Sequence, residues 1–346
     1  MKSAIRCFCF CIIAVFLIDR AAWILHEKSG ANAIEPFYKE EKDSIDVLLC
    51  GPSSAYYGIS PYGLWGEHGI VSWNIAIGGQ PLPSTYYTIK QALNFQTPKV
   101  IVVDVLNIYG TSKLGIVGHN TLDWMPWNGD KLKAIYELTT KEERKEYFCT
   151  LLAFHGRWKE LTKDDFKSIR TLNRGGGVMF GNEEAKDFVT FPVIDASLCE
   201  ELNPEVETYL YRIIDLCKER DIKLVLIHMP YYSVGETRYG DGIYLQKLYN
   251  QVGKIAEKEE VGYIDFLHAF SEDDFSYSED MHDFVHCNPK GNQKVTEYLG
   301  EYLKSHYDLP DKRNDEEYED WNIGYQEYVE YLQKNEAQME KKTSGK

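Results

Sequence analysis

Five short apolar runs punctuate the chain: Ile45–Cys50, Ser72–Ile77, Val100–Val105, Lys223–His228 and Tyr263–Phe266. Runs of this length without polar alternation suit strands buried on both faces, as in a parallel sheet. Between and after them the apolar spacing becomes helical. Ser84 is placed to cap a helix running to about Gln96, ahead of Pro98. Asn203-Pro204 pairs a capping residue with proline at the first helical position, and Val206, Leu210, Ile213, Ile214 and Cys217 follow on one face. Asn288-Pro289 repeats that start, and Val295, Tyr298, Leu299, Tyr302 and Leu303 form the face of the helix behind it. Such alternation predicts an α/β protein with a parallel sheet covered on both sides. Ligands then sit at the carboxyl ends of the strands, so chemistry is expected immediately after each run.

Three segments depart from the alternation. At the N-terminus, Lys2 and Arg6 precede an apolar run from Cys7 to Ile18, which Asp19 and Arg20 interrupt before Ala21–Leu25 continues it. Cys7–Leu25 approaches the ~20 residues of a membrane span. Residues 1–30 read as a signal-anchor with the basic end inside, which puts the remainder outside the cytoplasm. The alternatives are secretion after cleavage near Ala33, where Ala31-Asn32-Ala33 has the small-x-small spacing, and a buried helix of a cytosolic protein. The second segment, about 108–202, interrupts the α/β domain assigned to 31–309 and reads as a partly helical cap over the sheet. It contains Trp124, Trp127, His155, Arg157, Trp158 and the run Gly175-Gly176-Gly177, which reads as flexible. The tryptophans suit core packing better than sugar stacking, and His155 and Arg157 read as structural. The third segment, 310–346, is charged. Tyr318, Trp321, Tyr325, Tyr328 and Tyr331 keep helical spacing there, so a peripheral helix with a disordered end is expected.

Composition narrows the classes. The 346 residues include 38 Lys+Arg and 54 Asp+Glu, a formal charge of −16, which argues against nucleic-acid binding. The same balance disfavours a strongly anionic substrate. Beyond Cys7, Cys9 and Cys11, the cysteines are Cys50, Cys149, Cys199, Cys217 and Cys287. An odd scattered set without CxxC is neither a zinc site nor a disulfide framework. No GxGxxG or P-loop follows the first strand, and no metal-ligand spacing is present, so neither cofactor nor metal is expected.

The strand ends carry the candidate chemistry. Cys50-Gly51-Pro52-Ser53-Ser54 follows the first run. Glycine there permits a sharp turn, and Ser53, or its neighbour Ser54, would be displayed above the sheet as a nucleophile. Asn74 lies in the second run, which leads to Gly78-Gly79-Gln80, where a backbone N–H can approach a ligand. Asn107 follows the third run and reads either as an amide donor or as a local turn. Asp283 and His286 stand before the last helix, with a carboxylate three residues from an imidazole that it can orient. Asp265 and His268 form a second pair of the same spacing.

Taken together, the serine after strand one, glycine after strand two, asparagine after strand three and Asp-x-x-His before the last helix resemble the SGNH (GDSL-like) hydrolase family. The resemblance spans about Ile45–Tyr302 without most of the insertion. It implies a three-layer, flavodoxin-like sandwich with strand order 2-1-3-4-5. It makes Ser53 the nucleophile, Asp283 and His286 its partners, and Gly79 and Asn107 oxyanion donors. Pro52, Ala76 and Val105 depart from the family's usual residues. With the N-terminal segment, the arrangement looks like membrane-anchored envelope proteins such as those of teichoic-acid D-alanyl transfer and alginate acetylation. The words Gly51–Pro61, Ser72–Tyr87 and His155–Phe166 look like those of Gram-positive members of that group.

The expected function is therefore extracytoplasmic ester hydrolysis or O-acyl transfer, with an acyl donor and an envelope glycan or polyol acceptor. The competing expectation is a non-catalytic module that assists a membrane-bound O-acyltransferase.

Overall fold

The computed structural model describes residues 2–28, 34–110, 114, 117–182, 193–231, 242–271 and 273–344. Ala31-Asn32-Ala33 lies outside them. Five strands, β1 (Val47–Cys50), β2 (Ser72–Asn74), β3 (Val100–Asp104), β4 (Lys223–His228) and β5 (Gly262–Asp265), form one parallel sheet in the order 2-1-3-4-5. The register pairs Val47 with Ser72 and with Val100, Val100 with Lys223, and Val225 with Gly262.

Successive strand residues point to opposite faces, so each strand feeds two cores. Leu48, Ile101, Val103, Leu224 and Leu226 pack with the faces of helices Leu82–Ala92, Pro204–Glu219 and Gly242–Glu259. Val47, Leu49, Val100, Val102, Val225 and Ile227 pack with Leu64, Val295, Leu299 and Leu303 from helices Pro61–His68 and Pro289–His306. This is the three-layer α/β sandwich. Asn203 and Asn288 cap as their spacing predicts, accepting from the N–H groups of Glu205 at 2.9 Å and of Lys290 at 3.0 Å.

Three expectations need correction. Ser84 is not a cap. Its helix starts at Leu82 after Pro81, because proline tolerates the first turn of a helix, and the Ser84 hydroxyl instead faces Thr121 at 3.3 Å. Gly175-Gly176-Gly177 is a close-packed crossing. At Gly175, where φ is +93°, a Cβ would lie 1.9 Å from the Asn74 carbonyl, and the Gly177 N–H donates to the Tyr56 carbonyl at 2.8 Å. The chain end is helical through Ser344, in a helix that begins at Glu319. That helix is more than peripheral: Trp321 and Tyr328 are buried in the core shared with Tyr62 and Trp65.

The insertion contains helices Val117–Leu122, Gly129–Leu138, Arg144–Phe148 and Leu151–Phe154, then short 3-10 turns at His155–Lys159 and Asp164–Phe166. Trp124 is half-buried, but Trp127 and Trp158 are 56% and 64% exposed, so core packing does not account for them. The N-terminal helix Lys2–Leu25 is long and apolar enough to cross a membrane. It stands clear of the domain through Arg20 and becomes partly covered from Ala21. There the insertion grips it. His26 reaches Asp123 with Nε2 at 3.0 Å, lies 4.5 Å from the Trp124 ring and 4.4 Å from the Phe154 ring, and the Arg157 guanidinium donates to the Leu25 carbonyl at 2.8 Å. Arg157 is thus structural, as expected.

Candidate active site

The turn after β1 depends on Gly51. Its φ is +133°, and a Cβ there would lie 2.8 Å from Cβ of Asp104 and 2.9 Å from the Asp104 carbonyl oxygen. No other residue passes so close to β3 without displacing it. Pro52 then precedes a short helix, Ser53–Gly58, which places two serines on different faces. Ser53 is partly open to solvent, whereas Ser54 is 1% exposed and donates to the Asp104 carboxylate. Ser54 is therefore not an available nucleophile, which removes it as the alternative to Ser53. Asn74 holds this helix to β2. Its amide donates to the carbonyls of Ala55 at 2.9 Å and Ile59 at 3.2 Å, and its oxygen accepts from the Ala76 N–H at 3.0 Å.

The histidine arrives on a tight hairpin before helix Pro289–His306. Met281 and Cys287 form an antiparallel bridge, and the His282 N–H donates to the His286 carbonyl at 2.8 Å. One carboxylate oxygen of Asp283 accepts from the N–H groups of Val285 and His286, both at 2.9 Å. The other accepts from Nδ1 of His286 at 2.7 Å. With the proton on Nδ1, Nε2 is free to accept, and it lies 2.8 Å from Oγ of Ser53. The ring of Tyr57 meets the imidazole edge-on at 5.2 Å. Ser53, His286 and Asp283 thus form one continuous hydrogen-bonded chain across 233 residues of sequence. This order of groups can raise the nucleophilicity of a hydroxyl and shuttle its proton.

Around Ser53 are groups able to donate. The Ser53 N–H lies in the first turn of its helix, where no intrahelical acceptor exists. Gly78 and Gly79 form the centre of a turn closed by the Gln80 N–H to the Ile77 carbonyl at 3.0 Å, which does not use their own N–H groups. Gly79 takes φ +69°, and a Cβ on Gly78 would come 4.0 Å from Cβ of Ser53. Asn107 bridges to this turn, with its amide donating to the Gln80 carbonyl at 2.9 Å. It also sits inside the 3-10 turn Leu106–Tyr109, where its side-chain oxygen accepts from the Tyr109 hydroxyl at 3.3 Å, and its amide carries a second hydrogen that can serve a ligand.

The second Asp-x-x-His is placed differently. Asp265 holds Nδ1 of His268 at 2.8 Å, and the other nitrogen of His268 lies 3.1 Å from the Ile194 carbonyl. Asp265 also binds the fully buried His228 at 3.2 Å, and His228 stacks on Tyr249 at 3.5 Å. Both ring nitrogens of His268 are engaged there, so this pair does not compete for Ser53.

No protein-family model matches the chain, and no curated protein matches it. Solved structures with a similar course of chain do exist. One is a provisionally assigned lipolytic protein of the G-D-S-L family from Desulfitobacterium hafniense DCB-2, at 12% identity and TM-score 0.39, covering 74% of this chain and 98% of that one. A provisionally assigned acylhydrolase from Bacteroides fragilis NCTC 9343 aligns at 11% identity and TM-score 0.41, covering 81% and 99%. A GDSL-like lipase from Bacteroides thetaiotaomicron VPI-5482 aligns at 10% identity and TM-score 0.36, covering 75% and 87%. The fold class rests on the strand order itself.

The charges divide into two environments. Burial pushes Asp283 upward, but the hydrogen bond and charge of His286 outweigh it and hold the carboxyl below its ordinary value. It is thus ionised where an imidazolium would form. Asp104 is the opposite case. It ends β3 in the core, and burial outweighs its hydrogen bonds from Ser54 and the Leu106 N–H, pushing it up to about 6. Asp104 and the anchoring role of Asn74 do not follow from motif spacing in the sequence. In each case the signal was a polar residue inside or at the end of an otherwise apolar run.

Proposed function

We propose that the protein is an extracytoplasmic serine esterase or O-acyltransferase of the SGNH type. It is anchored by Lys2–Leu25 and acts on an acyl ester of a cell-envelope glycan or polyol. The hydrogen-bonded chain Ser53–His286–Asp283 carries the reading.

In the first half-reaction, Oγ of Ser53 attacks the acyl carbonyl carbon while its proton passes to Nε2 of His286. Asp283 holds the imidazole by Nδ1 and stabilises the imidazolium. The carbonyl oxygen becomes an oxyanion facing the N–H groups of Ser53 and Gly79 and the Asn107 amide. Loss of one such donor typically lowers the rate about 100- to 1,000-fold. The tetrahedral intermediate then collapses. The C–O bond to the leaving alcohol breaks, and that oxygen takes the proton from His286. In the second half-reaction, water or an acceptor hydroxyl gives its proton to His286 and attacks the acyl-serine; the bond from the carbonyl carbon to Oγ of Ser53 then breaks, and Oγ takes the proton back from His286. The outcome is hydrolysis with water and transfer with a sugar or polyol hydroxyl.

The test uses the full chain in detergent with a fluorophosphonate probe, followed by peptide mass spectrometry. An adduct on Ser53 that is absent in Ser53→Ala and His286→Ala is the expected result. A folded wild-type chain that takes no adduct would sink the mechanism and favour a non-catalytic partner of a membrane acyltransferase.

A further inference from the structure

The insertion presents an apolar and basic face with no partner among the described residues. Leu152, Trp158 and Phe166 are 50%, 64% and 60% exposed. They lie on Leu151–Phe154, His155–Lys159 and Asp164–Phe166, the elements packed against the N-terminal helix. Exposed apolar side chains gathered on neighbouring elements, unlike singly scattered ones, mark interaction or membrane sites. Their position is defined by that helix, which sheds its cover at Arg20 and is gripped from Ala21 onward. Asp19 and Arg20 interrupt its apolar run at the same level, and Arg20 lies over the Trp23 ring at 4.6 Å. A span ends where charges and tryptophan reach the headgroups.

Charge sets this face apart from the rest of the molecule. Residues 155–172 carry five Lys or Arg and three Asp or Glu, in a chain whose net charge is −16. One of the acids, Asp165, is buried and holds Arg157 at 2.9 Å, so it offers little negative charge to the surface. Beside it opens a cleft of about 700 Å³ lined by Lys28, Asp164, Lys167, Ser168, Ile169 and Arg170. Lys167 bonds to Asp164 at 2.7 Å, and Lys28 donates to the Asp165 carbonyl and lies over the Trp23 ring at 3.6 Å, so Arg170, the Ser168 hydroxyl and the remaining hydrogens of the two ammonium groups line the cleft for a further anion.

We propose that this face seats on the bilayer that the N-terminal helix crosses. Trp158, Phe166 and Leu152 would enter the headgroup layer, and the Lys28–Lys167–Arg170 cleft would take the phosphate of an anionic lipid. Aromatic wedges with flanking cations are the usual chemistry of interfacial attachment. Because the insertion grips the helix end through His26 and Arg157, helix and face form one unit. The proposal rests on the anchored reading above, and its test separates the two.

The full chain is reconstituted in phosphatidylglycerol or phosphatidylcholine vesicles containing brominated acyl chains. Alkaline carbonate extraction reports the anchor, and tryptophan quenching reports the face. The expected result is a chain that resists extraction, with a quenched component that disappears in Trp158→Phe. The combined variant Lys167→Glu, Arg170→Glu should lose that component in phosphatidylglycerol, with circular dichroism unchanged. A chain that resists extraction while Trp158→Phe is quenched as strongly as wild type would overturn the face but keep the anchor, and would point to a protein partner there. Release by carbonate would overturn both. Equal Trp158 quenching in the two lipids, unaffected by charge reversal, would overturn the phosphate cleft.

Discussion

Ser53 and Ser54 are chemically identical neighbours with opposite fates. One hydroxyl faces His286, and the other faces a buried carboxylate. Ser54→Ala should therefore leave fluorophosphonate labelling of Ser53 in place. It should also cost about 1–3 kcal/mol in urea unfolding, because buried Asp104 loses a donor. Loss of labelling in a stably folded Ser54→Ala chain would contradict the separation of roles. Asp104 makes a pH-dependent prediction of its own. Its carboxyl is pushed up to about 6 in the folded chain from an ordinary 3.8. Between those values the folded state binds more protons than the unfolded state, so this group's contribution to stability falls as pH rises, and the cost is complete above 6. From pH 5 to pH 8 wild type should lose on the order of 1–2 kcal/mol relative to Asp104→Asn. Equal pH profiles for the two would contradict it. That Ser53, Asp283 and His286 come together was foreshadowed by their places after the first strand and shortly before the last helix, and by the resemblance they carry. The choice between Ser53 and Ser54 was not, since it depends on which face of a six-residue helix meets Asp104.

The hairpin that carries Asp283 and His286 depends on the start of the helix behind it. Asn288 caps that helix and also donates to the Glu279 carbonyl at 2.6 Å, which closes the hairpin base. Gly291 lets the two segments touch, because a Cβ there would lie 2.1 Å from the Asp280 carbonyl oxygen. Gly291→Ala should destabilise the chain by about 1–3 kcal/mol through overpacking. It should also slow Ser53 labelling by moving His286. Unchanged labelling and melting temperature would show that the hairpin tolerates the shift. The Asn-Pro starts were readable because capping is local chemistry. Ser84 misled because prolines on either side of Leu82 also satisfy a helix start. Gly175–Gly177 misled because composition alone does not separate a flexible tract from one pressed against Asn74 and Tyr56.

Both apolar layers and the membrane-length helix were foreshadowed by periodicity and run length, whereas the strand order was implied only by the family resemblance. The insertion's contact with that helix was not foreshadowed, because it joins His26 to Asp123 and Leu25 to Arg157, partners that share no local pattern. The same contact links the two ends of the molecule's chemistry. Val117, where a short helix begins, lies 3.3 Å from the position a Cβ on Gly79 would take, and Asp123 follows directly after that helix. Six helical residues rise only about 9 Å. On the proposed anchored reading, an enzyme built this way would work close to the lipid. Were it assayed on an ester held in the same bilayer, encounters would be two-dimensional, and the turnover rate should follow the mole fraction of that ester. Diluting the vesicles in buffer should leave that rate unchanged, whereas diluting the substrate with inert lipid should lower it.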